Sequence, residues 1–181
     1  IYQCDWSSDV CSSDLRLYLS YSRNYDLRIR IARLHNVFGP LGSWNNGKEK
    51  APAALCRKIA MANNNGSIDV WGSGRQTRSF LYIDECIEGI HRIQESECTL
   101  PLNLGSERMI SINDLSSLIS RLVSKPIQIN NITGPNGVMG RNSHNELIKK
   151  TIGWAPADNL EHGLSKTYEW ISNQIKLNKD E

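Results

Sequence analysis

The sequence has few of the features that would assign it to a functional class at once. No apolar run approaches the roughly 18 residues of a membrane-spanning helix. The N-terminus lacks the charged-then-apolar plan of a secretory signal. Charge is nearly balanced, with 21 basic against 19 acidic side chains, whereas a nucleic-acid-binding protein shows a strong basic excess. We therefore expect no membrane and no nucleic acid among its partners.

Cysteine and histidine are too scattered to predict a metal site. The five cysteines are an odd number, and no two form a Cys-x-x-Cys pair or cluster with the four histidines at zinc-ligand spacing. We interpret the histidines as structural or exposed, and Cys56 and Cys86 as packed on helix faces. Unpaired thiols are typical of a reducing compartment, so the expected location is the cytoplasm.

The sequence also lacks both common phosphate-binding fingerprints. It contains no Gly-x-x-x-x-Gly-Lys-Ser/Thr loop, and no Gly-x-Gly-x-x-Gly follows a predicted strand. The residues present therefore give no basis for assigning a dinucleotide site.

What the sequence does contain is an alternating α/β pattern, with 39% hydrophobic and 22% charged residues, typical of an ordered globular protein. Apolar spacing, helix caps and glycine turns predict strands at 27–31, 68–71, 79–83, 102–104 and 127–132. The same signals predict helices at 15–24, from Pro52, after an Asp84 N-cap, after Ser111 or Asn113, and at 145–152 and 160–175.

The first 14 residues do not share this pattern. Ser-Ser-Asp occurs at 7–9 and again at 12–14, without helical or strand periodicity. The segment resembles translated adapter read-through from sequencing. Our hypothesis is a non-native leader over 1–14, and an ordinary disordered arm is the alternative.

Three polar loops concentrate cations beside glycines. The first holds Lys48, Glu49 and Lys50, the second runs from Arg75 to Arg78, and the third covers 134–142 and includes Arg141. Glycine lets a backbone approach a ligand closely, and arginine matches phosphate oxygens with two parallel hydrogen bonds. Each loop alone is more often an ordinary solvated turn. Together they predict one shared anionic ligand, such as a diphosphate.

Several short segments resemble the extended short-chain dehydrogenase/reductases. Residues 30–40 are similar to their Arg-x-x-Asn-x-x-Gly-Pro segment, 78–84 to Arg-x-Phe-x-x-(Ile/Val)-Asp, 103–105 to Asn-x-Gly and 153–156 to Gly-Trp-x-Pro. The resemblance implies the C-terminal part of a Rossmann-type fold with a small α/β substrate-binding domain. It places the Rossmann part at roughly 15–40 and 77–105, and the substrate-binding part at roughly 41–76 and 106–181.

Finer similarity is to the GDP-mannose 3,5-epimerase family, from about Leu15 to about Lys176. It rests on segments 47–58, 71–80 and 134–143, and the Glu-Lys-Ala-Pro-Ala-Ala block at 49–54 is its most specific part. In that family, NAD oxidises the sugar at C4 and an acid/base pair exchanges protons at C3 and C5. The resemblance implies that Lys50 is the acid, with Glu49 beside it in the substrate pocket. It also implies GDP-mannose contacts from Asn36, Lys58, Gln76, Thr77, Arg78 and Arg141.

The sequence departs from that family at its N-terminal end. The family's Tyr-x-x-x-Lys should lie shortly before Asn24, yet Ser7 and Cys11 stand at the expected places. The glycine-rich cofactor loop and the family's cysteine base are also missing. We therefore expect the chain alone to be inactive, and the full-length form to be a homodimer.

Two alternatives stay open. One is another NAD-dependent nucleotide-sugar epimerase, dehydratase or decarboxylase, which would have no reason to keep Lys50 with Glu49. The other is a non-catalytic protein that binds a nucleotide sugar, whose half sheet would need new edge cover.

Overall fold

The computed structural model describes residues 6–134 and 138–178 of the 181-residue chain. Its helices are α1 (Trp6–Tyr25), α2 (Ala51–Met61), α3 (Ile83–Glu95), α4 (Ile112–Leu122), α5 (Glu146–Ile152) and α6 (Leu160–Leu177). Its strands are β1 (Ala32–Leu34), β2 (Val37–Phe38), β3 (Ser67–Trp71), β4 (Thr77–Arg78), β5 (Leu81–Tyr82), β6 (Leu102–Leu104), β7 (Ile110–Ser111), β8 (Gln128–Ile132) and β9 (Gly140–Arg141). The alternation confirms the predicted α/β class.

Most strand pairs are parallel. β1 pairs with β6, β2 with β5 and β3 with β8, each in parallel. Parallel strands need crossover connections, and here the crossovers contain helices, as in other α/β folds. The remaining sheet has the order β7-β4-β9, in which β4 is antiparallel to β7 and parallel to β9. β4 and β9 carry two of the three polar loops, so this sheet brings those loops together.

The buried apolar side chains of the described residues form two clusters. The larger cluster joins α2, α4 and α6 to β3 and contains Leu55, Ile59, Leu115 and Leu164. The smaller cluster packs α3 and α5 on β1 and β6. α5 falls in the stretch that the sequence assigns to the substrate-binding part, although it packs with strands of the Rossmann part. The residue boundaries of the two parts stay a prediction.

Helix caps follow the sequence signals with one exception. Ser111 is the N-cap of α4, and its Oγ accepts a hydrogen bond from the Asp114 backbone N–H at 3.0 Å. Pro52 lies in the first turn of α2, where its missing N–H costs nothing. The Asp84 cap was wrong: α3 begins one residue earlier at Ile83, with Tyr82 as N-cap and Asp84 in its first turn.

The first strand and the first helix also differ from the sequence expectation. The predicted strand at 27–31 was wrong, since β1 begins at Ala32 opposite Leu102 and is only as long as its partner β6. α1 begins at Trp6, although residues 6–14 show no helical periodicity. Residues 6–25 contain no glycine or proline to interrupt a helix. Whether 1–14 is a non-native leader stays a hypothesis.

The helices of the described residues include none that is both long and apolar enough to cross a membrane.

Candidate substrate site

The site lies where parallel strands end, and Asn36 is its first element. Asn36 connects β1 to β2 with a positive φ of 45°, a conformation that asparagine tolerates better than most residues. Its backbone oxygen accepts from the Leu81 N–H at 3.2 Å, and its side-chain Nδ2 donates to the Ser79 carbonyl at 3.0 Å. These bonds fix the Asn36 amide beside β4. Ligands of α/β sheets bind at such carboxyl ends of strands.

Arg78 and Arg141 lie side by side in this site. The parallel register of β4 and β9 pairs Arg78 with Arg141 and Thr77 with Gly140. The Ser79 N–H donates to the Arg141 carbonyl at 3.2 Å and continues the pairing. Like charges on adjacent strands repel, and this repulsion is relieved when an anion binds between them. The pair therefore favours a phosphate or another anion.

The pKa of the His35 imidazole is affected by Lys50 as well as by Arg78 and Arg141. Burial lowers the pKa of His35, and the charges of Arg141, Lys50 and Arg78 lower it further, against a raising hydrogen bond with the Arg141 backbone. Each of these three cations is thus close enough to act on one ring. One cation from each polar loop therefore acts on this ring, as a shared anionic ligand requires; residues 135–137 of the third loop lie outside the described residues.

Lys50 stands at the start of α2 and borders a cavity. Its backbone is extended (φ −76°, ψ 162°), and its carbonyl accepts the Ala54 N–H at 3.0 Å. The cavity has a volume of about 200 Å³. It is lined by Val37, Phe38, Gly39, Gly42, Ser43, Lys48, Lys50 and Ala53. Lys50 is therefore an exposed ammonium group beside a cavity next to the strand ends.

Glu49 makes a different set of contacts from Lys50. Its side chain is only 8% exposed, and its Oε1 accepts from Arg57 Nη2 at 2.7 Å. Burial raises the pKa of the Glu49 carboxyl, but backbone N–H groups and the Arg57 guanidinium outweigh burial, so the pKa is lowered overall. Glu49 is next to Lys50 in sequence, and its carboxylate is held by α2.

Lys58 and Gln76 line a second cavity, also of about 200 Å³, on another side of the start of α2. Lys58 Nζ donates to the Asp69 carbonyl at 2.5 Å, and Gln76 Nε2 donates to the Trp71 carbonyl at 3.3 Å. The rest of the lining is mostly apolar: Ala51, Ala54, Leu55, Val70, Trp71 and Ile112. An apolar cleft with a few polar groups suits a flat, partly polar ligand group.

Thr77 serves the sheet as well as the site. Its backbone N–H donates to the Met139 carbonyl at 2.8 Å, and its Oγ1 lies 3.4 Å from the same oxygen. Thr77 thus holds the third loop against the second. The sequence-predicted residues therefore fall into three sets: Asn36, Lys50, Arg78 and Arg141 around His35; Lys58 and Gln76 at the second cavity; and Thr77 and Glu49 in supporting contacts.

Two contacts of this region do not follow from the sequence. His35, which the sequence predicts to be structural or exposed, is partly buried, and its Nε2 lies 3.2 Å from Asn36 Nδ2; its position directly before Asn36 is a signal that it lies at the strand end. Arg57, eight residues after Glu49, could not be paired with it from sequence because the loop before α2 has no regular geometry. The interpretation of Cys56 and Cys86 as packed is confirmed, since they are 0% and 2% exposed.

The described residues contain no group of three or more histidine, cysteine or acidic side chains placed to hold a metal ion. A dinucleotide site in such a fold needs a glycine-rich turn between a strand and a helix. Within the described residues, Gly39 follows β2, Gly72 and Gly74 follow β3, and Gly105 follows β6, and none of them opens directly into a helix. We assign none of them to a dinucleotide site.

The parallel strand pairs with helical crossovers place the chain in the Rossmann-type α/β class, in which ligands bind at the carboxyl ends of the strands. The chain belongs to the NAD dependent epimerase/dehydratase family, whose model matches residues 15–105.

Similarity to curated proteins extends over most of the chain. It is 45% identical over 159 residues to GDP-mannose 3,5-epimerase of Arabidopsis thaliana, which covers 88% of this chain and 42% of the plant protein. It is 28% identical over 158 residues to UDP-glucuronic acid decarboxylase 1 of Xenopus tropicalis, covering 87% of this chain and 36% of that protein. The chain thus spans less than half the length of these relatives.

Solved structures agree on the fold. UDP-glucose 4-epimerase of Thermotoga maritima superposes with a TM-score of 0.80 at 21% identity, over 92% of this chain and 53% of that one. This similarity confirms the Rossmann-type architecture predicted from the sequence.

Proposed function

We propose that the complete protein is a GDP-mannose 3,5-epimerase and that this chain supplies most of its substrate site. The observation that carries the proposal is the in-register pairing of Arg78 with Arg141 at the strand ends, with the Asn36 side chain bonded to Ser79 and Lys50 bordering the cavity lined by Val37. The 45% identity to the plant epimerase supports the choice of GDP-mannose. We further propose that the complete protein is a cytoplasmic homodimer, since the resemblance implies a dimer and the dispersed thiols suit a reducing compartment.

Arg78 and Arg141 would hold the diphosphate. Their guanidinium groups can each donate two parallel hydrogen bonds to phosphate oxygens, and their in-register pairing gives two such groups side by side. The cavity of Lys58 and Gln76 would receive another part of the nucleotide, because it offers an apolar wall with polar groups at its rim. Thr77 supports this arrangement by holding β4 to Met139.

Lys50 would act as the acid that returns a proton to the sugar carbon. It borders a cavity that opens next to the strand ends, and a positioned ammonium group is a competent proton donor. When bound, NAD would supply the transient oxidation at C4 that acidifies the neighbouring protons. The residues that bind NAD would belong to a part of the complete protein that this chain does not contain.

A deuterium wash-in assay with the complete protein would test the role of Lys50. We expect Lys50→Ala to abolish epimerisation at C3 and C5, so that no deuterated epimer forms, while GDP-mannose binding is kept. Lys48→Ala is the matched control, because it removes an ammonium from the same cavity lining and should keep turnover. Unchanged turnover to the epimers by Lys50→Ala would contradict the assignment.

A second candidate is a decarboxylase or epimerase of UDP-sugars, favoured by the 28% identity to the Xenopus decarboxylase. Thermal-shift titration of this chain with GDP-mannose, UDP-glucose and UDP-glucuronic acid separates the two, because a ligand stabilises the protein it binds. Stronger stabilisation by a UDP-sugar would replace the first proposal.

A further inference from the structure

The His35 ring and the Asn36 side chain are joined by a contact that fixes both. Asn36 Nδ2 lies 3.2 Å from His35 Nε2 and donates to the Ser79 carbonyl at 3.0 Å. A carbonyl only accepts, so the Ser79 bond places the NH₂ group, and not the oxygen, on this side of the Asn36 amide. An amide NH₂ only donates, so His35 Nε2 must hold a lone pair.

The tautomer of His35 follows from this contact. With Nε2 as acceptor, the proton of a neutral imidazole is on Nδ1. The Arg141 backbone raises the pKa of His35 against the surrounding cations, and its carbonyl accepts the Ser79 N–H at 3.2 Å. His35, Asn36 and Ser79 therefore form a chain of contacts that links the β1–β2 connection to β9.

The charges that face His35 favour its neutral form. Three cations act on the ring: Arg141 from β9, Arg78 from β4 and Lys50 before α2. Arg33, on the same segment as His35, lines with it a cavity of about 150 Å³. A protonated ring would add a cation to this group. It would also turn an Nε2–H toward the Asn36 NH₂, where two donors repel.

We propose that His35 is a positioning residue, whose neutral ring orients the Asn36 amide so that its oxygen faces the nucleotide sugar. The proposal rests on the proposed function, in that Asn36 contacts the substrate. The amide is planar, so Oδ1 points away from the side held by His35 and Ser79. The substrate hydroxyls are hydrogen-bond donors, and a fixed acceptor among four cations would select their orientation.

The first test is the tautomer of His35 in this 181-residue chain. Long-range proton–nitrogen spectra with ¹⁵N-histidine should show the Nδ1-protonated neutral ring at neutral pH, and protonation at lower pH than free imidazole. Observing the Nε2-protonated tautomer, or a charged ring at neutral pH, would overturn the proposal whatever the substrate is.

The second test is the coupling of His35 to Asn36 in GDP-mannose binding, measured by calorimetry. His35→Phe keeps a flat ring but removes the acceptor, and should weaken binding by about tenfold, the size expected for one polar contact. His35→Gln places an amide oxygen near the former Nε2 and should restore most of the affinity. His91→Phe, on the exposed face of α3, is the matched control and should leave binding unchanged.

The double variant His35→Phe/Asn36→Ala should bind about as weakly as Asn36→Ala alone, because both changes remove one shared function. Additive losses, or a His35→Gln variant as weak as His35→Phe, would overturn the positioning role. If the unaltered complete protein fails to bind GDP-mannose, the proposed substrate falls. The role of His35 is then decided by its tautomer, and by whether the effects of His35→Phe and Asn36→Ala on thermal stability are coupled.

Discussion

Arg78 and Arg141 are direct partners in the parallel register of β4 and β9. Two guanidinium groups at neighbouring positions raise each other's electrostatic energy. Neither β4 nor β9 needs an arginine at this position in order to form a strand. The pair joins two loops that are more than 60 residues apart in the sequence, by the numbering of its two members. An anion between them would convert this repulsion into binding energy.

Removing either arginine should weaken ligand binding without weakening the fold. Arg78→Ala and Arg141→Ala should each reduce GDP affinity by about 10- to 100-fold, the range for lost charge-assisted hydrogen bonds. The melting temperature of the free chain should stay the same or rise, because repulsion is relieved. Calorimetric titration with GDP measures the first effect and thermal melting the second. Arg75→Ala, at an exposed position of the same loop, should change neither; loss of stability without loss of affinity would mean a structural role.

The Glu49–Arg57 pair should contribute stability that depends on pH. The folded-state pKa of Glu49 is lowered, so its contribution is present above the unfolded-state pKa and is lost as pH falls through the folded pKa. Glu49→Gln should therefore destabilise the chain at pH 7 and lose less stability on acidification than the unaltered chain. Denaturant unfolding from pH 7 to pH 3 measures the difference. A parallel acid profile in both proteins would contradict the prediction.

Breaking this pair from the Arg57 side should cost more than breaking an exposed pair. Arg57→Leu leaves the 8%-exposed Glu49 carboxylate without its partner, at a cost of about 3 kcal/mol in the free energy of unfolding. Arg92→Leu removes the partner of Glu88 on α3, where both side chains are about half exposed, and should cost about 0.5 kcal/mol. Equal costs for the two variants in urea unfolding would show that burial of Glu49 has no energetic effect.

Gly105→Ala should destabilise the region around His35. An added Cβ would lie 2.7 Å from the Cβ atoms of both His35 and Ser143, and these atoms cannot move without the backbone. We expect a loss of about 1–3 kcal/mol, as for overpacking of a core. Gly42→Ala, whose Cβ would meet only the Gly39 carbonyl at 3.5 Å, is the control for stability. A neutral Gly105→Ala in urea unfolding would mean that the strand ends are less tightly packed.

Cys56 should be inert to thiol reagents in the folded chain. It is 0% exposed, and burial raises the pKa of its thiol to about 12, so almost no thiolate is present at pH 8. Cys98 is of intermediate exposure and should react first. Mass spectrometry after iodoacetamide treatment of a Cys4→Ser/Cys11→Ser variant distinguishes the sites. Rapid labelling of Cys56 would indicate that α2 opens on the timescale of the reaction.

The sequence predicts the helices of this chain more accurately than its strands. The helices α2, α4, α5 and α6 were predicted almost to the residue, because apolar spacing, Pro52 and the Ser111 cap are local signals. β1 was misplaced by several residues, because the ends of a short strand depend on its partner β6. Local sequence does not contain that information.

The candidate site, too, could be predicted from the sequence only in part. Sequence alone determined which residues carry charge beside glycines, and the resemblance to GDP-mannose 3,5-epimerases predicts substrate roles for Lys50, Arg78 and Arg141 among them. Only the tertiary structure decided that Arg78 pairs with Arg141, that Lys58 and Gln76 line a separate cavity, and that Arg57 holds Glu49. The physical reason is that residue type sets the chemistry available to a loop. Strand register and helix packing decide which loops come within reach of one another.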